Sequence, residues 1–226
     1  MSQNETKYVA FTFYSLKETP TTEPEKYAWA QMSFLKTLES IRDIGIKTRT
    51  YLCRGITNYA DLLLWYIADS LDAIQDAGLR FSRSRFAQIL NQKFLFLGMK
   101  QKSPYFERER PQAFEVMQKP AKYLFVYPFV KTSEWFQLPF EKRQELMKEH
   151  RDVAVKFDKV YSNTLVSFGL GDYEWLLAFE CDDPADFSNL LQALREAKAR
   201  IYTKLDTPII PARFVEESEL LTALGF

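Results

Sequence analysis

Residues 55–69 (GITNYADLLLWYIAD) and 169–183 (GLGDYEWLLAFECDD) decide how this chain is read. Laid over each other without gaps they share five of fifteen positions: Gly55 with Gly169, Tyr59 with Tyr173, Leu62 with Leu176, Leu63 with Leu177, and Asp69 with Asp183. In both, a glycine-led polar turn runs into an apolar, β-prone stretch, the pattern of a turn feeding a strand. Outward from the first copy lie strands at 48–54 and 61–68, a helical pattern at 70–90 and a short strand at 94–99. Before them come a strand at 7–16 and, past Pro20 and Pro24, a helix at 25–41. The second copy repeats the order, with a strand at 122–131, a helix at 139–157, strands at 161–168 and 174–180, a helix at 184–202 and a last strand at 209–215. Each half reads β-α-β-β-α-β, so the expected fold is α+β, a ferredoxin-like unit duplicated within one chain, of the dimeric α+β barrel type. The halves are expected at 1–104 and 122–226, with the polar, proline-punctuated stretch 105–121 as linker.

The chain has 226 residues, 30 basic and 30 acidic, and 19 Phe with 12 Tyr. An aromatic-rich chain of this size buries a core, and balanced charge without like-charge blocks provides no field for a nucleic-acid backbone or an anionic membrane. Cys53 and Cys181 are too far apart for a CxxC site and are expected as buried free thiols, which suits a reducing cytoplasm. The first residues lack the pattern of a signal peptide and no apolar run reaches membrane-spanning length, so a soluble cytoplasmic protein is expected.

His150 is the only histidine, which excludes HExxH, a histidine-cysteine zinc cluster, and a serine triad coexisting with a histidine metal site. Neither a Walker loop nor GxGxxG occurs. With Met147, Ala154 and Phe157 at helical spacing, His150 lies on or beside an apolar stripe, where an ordinary neutral histidine would also sit. A porphyrin changes this balance, because it supplies four nitrogens and needs one imidazole from the protein. Tyr127 and Lys131, four apart on one strand, share a face. Pro128 hints at an edge or rim, and Trp135 with Phe136 would serve either a core or a flat apolar ligand.

These residues resemble the chlorite dismutase superfamily, which includes the coproheme decarboxylases. KYLFVYPFVKTSEWFQLP, ELMKEH and FGLGDYEWLLAFE, within 122–180, carry the resemblance most specifically. YLCRGITNYADLLLW and TPIIPARF extend it over nearly the whole chain. The resemblance implies a duplicated ferredoxin-like subunit, assembly into a homo-pentamer, and haem b or coproheme in the C-terminal half. By position, His150 matches the proximal iron ligand, Lys131 a lysine holding a porphyrin propionate, Trp135 an aromatic lining the pocket, and Tyr127 the tyrosine that decarboxylases use as a radical relay.

Chlorite-splitting members carry a distal arginine where this chain has Ser162, or Asn163 if the one-residue gap falls elsewhere. They also carry a glutamate behind the proximal imidazole, where this chain has Ala199. Against the decarboxylases, which often have glutamine at the Ser162 position and methionine at Phe129, the match is also incomplete. The resemblance therefore implies a haem-dependent oxidoreductase, with Tyr127 and Ser162 at its catalytic positions, that uses hydrogen peroxide to decarboxylate coproheme. Conversion of a small oxyanion, chlorite, to chloride and dioxygen, or non-enzymatic haem binding or sensing, are the alternatives.

Overall fold

The computed structural model describes residues 6–18, 20, 27–107 and 111–226. Its contacts divide the chain into two units, one running to Met99 and including Pro211–Phe226, the other Lys100–Ile210.

The first unit begins β1 (Tyr8–Leu16), α1 (Ala28–Arg42), β2 (Lys47–Leu52), β3 (Leu62–Ala68), α2 (Leu71–Ser82), a 3-10 turn (Phe86–Ile89) and β4 (Leu90–Met99). Its strands are antiparallel in the order β4-β1-β3-β2. The helix-facing side of this sheet packs Ala10, Tyr14, Leu62 and Leu64 against Phe34 and Leu38 of α1 and Phe81 of α2. At the β2–β3 turn Gly55 has φ of 86°, and the matching Gly169 of the second unit has 74°. Only glycine takes that backbone without strain, so the repeat begins at the residue its turn requires. Asp61 clasps the turn, accepting from Arg54 Nε at 2.9 Å and from the Leu16 backbone N–H at 2.7 Å.

The second unit contains α3 (Ala113–Val116), β5 (Tyr123–Lys131), α4 (Ser133–Gln137), α5 (Phe140–Ala154), β6 (Tyr161–Val166), β7 (Trp175–Cys181), α6 (Pro184–Glu196), a 3-10 turn (Lys198–Tyr202) and β8 (Thr203–Leu205). Its antiparallel order is β8-β5-β7-β6. Each α+β unit therefore reads fourth, first, third, second across its sheet. The chain then returns to the first unit as β9 (Ile210–Phe214) and α7 (Glu217–Leu224). Tyr51 of β2 stands opposite Phe214 and Leu52 opposite Arg213.

Three expectations gain detail. The strand expected at 209–215 forms at Ile210–Phe214 and has β2 as a neighbour, and a three-residue β8 that was not expected lies beside β5. Thr-Lys-Leu is too short to show alternation, and Pro208 and Pro211 offer no N–H to continue a ladder. The helix expected at 184–202 ends at Glu196, where Ala197 turns extended at ψ of 139°. The stretch expected as linker is ordered in part, as Gln112 and Glu115 form a reciprocal capping box at the start of α3 and Ala113 and Phe114 are buried.

That segment is held by Asn163, fully buried on β6. Its Oδ1 accepts from the Phe114 N–H at 2.9 Å, and its Nδ2 donates to the Ala178 carbonyl at 3.2 Å and to Glu180 Oε1 at 3.0 Å. Glu180 Oε2 accepts from the Ala121 N–H at 3.3 Å. Buried bonds to a charged group contribute more than neutral ones, so Asn163→Ala should lower stability by about 2–4 kcal/mol. Urea denaturation followed by fluorescence measures it, and a loss within the scatter of surface substitutions would show that the network does not hold the segment.

Candidate functional site

The period of two along β5 places Tyr123, Phe125, Tyr127, Phe129 and Lys131 on one face. Packing identifies that face as the one toward α6, since Tyr127 and Phe179 share an apolar cluster with Phe187 and Leu190. The Tyr127 ring lies nearly parallel to Phe179 at 6.1 Å between centroids, and Phe125 stacks on Phe187 at 4.2 Å.

Register carries the face across the sheet. Leu177 of β7 stands opposite both Tyr127 of β5 and Thr164 of β6, and Phe179 stands opposite both Phe125 and Ser162. Ser162 and Thr164 thus share the Tyr127 face, whereas Asn163 points to the other side and is committed to Phe114, Ala178 and Glu180. Of the two residues the sequence left open, Ser162 has the side chain on the tyrosine face. Thr164, exposed and in one row with Tyr127, was not singled out from sequence; the alternation of β6 would have found it.

Three of the candidate residues gather at the end of β5. Lys131 is buried, and its Nζ donates to the Ala199 carbonyl at 3.2 Å. The ammonium stands 4.3 Å from the Trp135 ring centroid and 5.2 Å from that of Phe129. No carboxylate among the described residues pairs with it, and burial lowers its pKa to about 8. Trp135, 1% exposed, packs with Leu146 and Ala199, and its indole N–H has no hydrogen-bond partner. His150, half-buried on α5, has its pKa lowered to about 4, first by burial and then by the charge of Lys131, with Glu149 opposing. The imidazole is neutral at pH 7, with a lone pair to offer.

Tyr127 is 3% exposed, and burial holds its phenol well above the usual range; the charge of Asp206 acts in the same direction and that of Arg195 against it. Together these residues offer a neutral nitrogen donor on α5, near enough to feel the Lys131 charge, and on the β5 face a protonated phenol and a buried cation lacking a counter-charge. An iron porphyrin bearing carboxylates fits this set, with iron for His150, a carboxylate for Lys131, and a flat apolar ring for the aromatics. No group of three or more histidine, cysteine, aspartate or glutamate side chains among the described residues could hold a bare metal ion. No helix described is long and apolar enough to cross a membrane.

The chlorite dismutase family model matches residues 28–215. A coproheme decarboxylase of Mycolicibacterium smegmatis is 32% identical over 193 residues, covering 85% of this chain and 82% of that protein. A coproheme decarboxylase of Thermus thermophilus is 31% identical over 183 residues, 74% of this chain and 71% of that one. In fold, a chlorite dismutase from Candidatus Nitrospira defluvii is similar with a TM-score of 0.84 at 23% identity, over 97% of this chain and 95% of that chain. A model match over most of the chain, with two relatives above 30% identity, means that this chain belongs to the chlorite dismutase family.

Proposed function

We propose that this chain binds coproheme through His150 and removes carboxyl groups from its propionates at the expense of hydrogen peroxide, leaving haem b. The observation that carries the reading is the pairing, on one strand face, of a buried phenol at Tyr127 with a buried, carboxylate-free ammonium at Lys131. Decarboxylation needs both a group that can be oxidised by one electron and a cation that fixes the carboxylate beside it. The similarity to two coproheme decarboxylases supports it. We also read the two units, alike in strand order and turn glycines, as copies of one ferredoxin-like unit.

Per propionate, the side chain, one peroxide and one proton give a vinyl group, carbon dioxide and two waters. The bound iron porphyrin supplies the redox chemistry with peroxide and is also the substrate. Lys131 holds the propionate carboxylate, and Tyr127, as a neutral radical, takes a hydrogen atom from its ethylene carbons. Loss of the carboxyl group as carbon dioxide would release the second electron to the redox chemistry that peroxide and the porphyrin would supply. Burial favours this use of Tyr127, because a phenol in an apolar cluster stays protonated until it is oxidised. By resemblance the position of the carboxylate behind the imidazole is Ala199 in this chain, and the Lys131 charge acts on His150, so we read His150 as a weak donor, suited to releasing product. Chlorite chemistry would call for a distal cation, and Ser162 and Thr164, which share the Tyr127 face, are uncharged.

Replacing His150 with Ala removes the iron ligand and suits a helix. Affinity for ferric coproporphyrin should fall about a hundred-fold or more, since even partners of a ligand cost 10–100-fold. Titration followed at the Soret band tests this, and equal affinity would remove His150 from the site. Tyr127→Phe keeps the ring and loses the hydroxyl, so coproheme binding should persist while decarboxylation with peroxide falls at least a hundred-fold by mass spectrometry. Persistent turnover would leave Tyr127 as packing, and binding without turnover in the unaltered protein would favour a carrier.

Lys131 adds a pH test. In the ligand-free protein its ammonium deprotonates near pH 8, and a bound carboxylate raises that pKa. Coproheme affinity should therefore be level below pH 8 and decline above it, whereas Lys131→Met should bind more weakly and without that decline. An identical decline in both proteins would assign the titration elsewhere.

A further inference from the structure

Beyond Lys131, a second cationic group borders the Tyr127 face. Arg195 lies in the last turn of α6, Arg200 in the 3-10 turn after it, and Asp206 follows β8. Arg195 Nη1 and Arg200 Nη1 converge on the same oxygen, Asp206 Oδ2, at 2.8 and 2.7 Å. The aspartate side chain is 16% exposed, the two arginine side chains 43% and 31%. Two cations on one carboxylate leave a surplus positive charge. A guanidinium carries five N–H donors in a planar fork; Arg200 donates one of them to Asp206, and Arg195 pairs with the same oxygen by charge. The rest match a second carboxylate.

The position follows from neighbours. Leu194, beside Arg195 in sequence, packs in the same cluster as Tyr127, as does Ile209. Leu205, beside Asp206, stands opposite Val130 of β5. The Tyr127 phenol also senses both charges, Asp206 raising its pKa and Arg195 lowering it. If Asp206 served only to tie down the end of β8, one arginine would satisfy it; the second leaves charge with no use inside the fold.

We propose that Arg195 and Arg200, gathered by Asp206 at the margin of the Tyr127 face, form a carboxylate subsite that takes a propionate of a porphyrin bound there. The inference rests on the porphyrin reading and deepens it. With Lys131 it provides two separate cationic stations, so a ligand with four carboxylates engages both, while one that has lost two loses hold of one. The subsite thereby distinguishes substrate from product.

Iron-free porphyrins separate this from ligation by His150. Coproporphyrin III, with four carboxylates, and protoporphyrin IX, with two, are titrated by fluorescence into the unaltered protein, the Arg195→Gln/Arg200→Gln double variant, and Asp206→Asn. Coproporphyrin affinity should fall roughly ten- to hundred-fold in the double variant, the range for losing charge-assisted bonds, with protoporphyrin little changed. Asp206→Asn increases the surplus charge, so it should bind coproporphyrin at least as tightly as the unaltered protein. A structural clasp predicts the opposite pattern, in which both changes weaken both porphyrins alike, and that result overturns the subsite. Unchanged coproporphyrin binding in the double variant overturns it too. Should the double variant not fold, Arg195→Lys/Arg200→Lys keeps the charges without the forks, and a several-fold loss confined to coproporphyrin is expected. An unaltered protein that binds neither of these porphyrins nor ferric coproporphyrin removes the porphyrin reading itself, independently of the arginines.

Discussion

A strand presents one side chain in two to each face, and the pairing of β5 with β7 and β6 turns that alternation into a division of labour. With Leu177 opposite Tyr127 and Thr164, one face receives Tyr127, Lys131, Ser162 and Thr164, and the other receives Asn163 and Glu180. A slip of one residue would exchange the sets, driving Asn163 toward the helices and the tyrosine away from them. The hydrogen bonds joining Asn163 to Phe114, Ala178 and Glu180 act against the slip, because they exist in one register only. The polar network on the far side thus supports the site without touching it.

The site itself is costly to keep. An ammonium surrounded by Trp135, Phe129 and one carbonyl has lost water without gaining an anion. Cation–π attraction offsets part of that loss. The linkage has a definite sign. Lys131 titrates near 8 in the folded chain against 10.5 unfolded, and His150 near 4 against 6.5, so in both windows the unfolded chain binds more protons and stability rises with pH. Burial pushes both groups toward their neutral forms, yet at pH 7 Lys131 keeps its charge while His150 does not, which is how a surface built for a ligand differs from one built for stability.

Much of this was legible in the residues. The turn glycines, the five-residue identity and the apolar runs around them marked the repeated order, and the four-residue spacing from Tyr127 to Lys131 set their common face. What escaped had physical causes. Three residues of β8 are too few for a period. The segment around α3 looked like a linker because its order comes from Asn163 and Glu180, about fifty and sixty residues away in sequence. Local composition carries no trace of such distant partners. Which of Ser162 and Asn163 faces Tyr127 becomes legible only when the partner strand's register is known. Arg195, Arg200 and Asp206 come from three successive segments and converge only in three dimensions.

The pairing of β9 with β2 bears on how the chain is made. Val215, Leu220, Leu221 and Leu224 belong to the same core as Phe34 and Leu38, so the first unit draws on residues at the far end of the polypeptide. A ribosome delivers residues in order, at about 5–20 per second. The unit that starts first is therefore finished last, after the whole of Lys100–Ile210 has emerged. Until then β2 lacks its outer neighbour and α1 part of its cover. The nascent chain therefore carries an open edge at β2 that a chaperone or a neighbouring copy could meet before its own tail does.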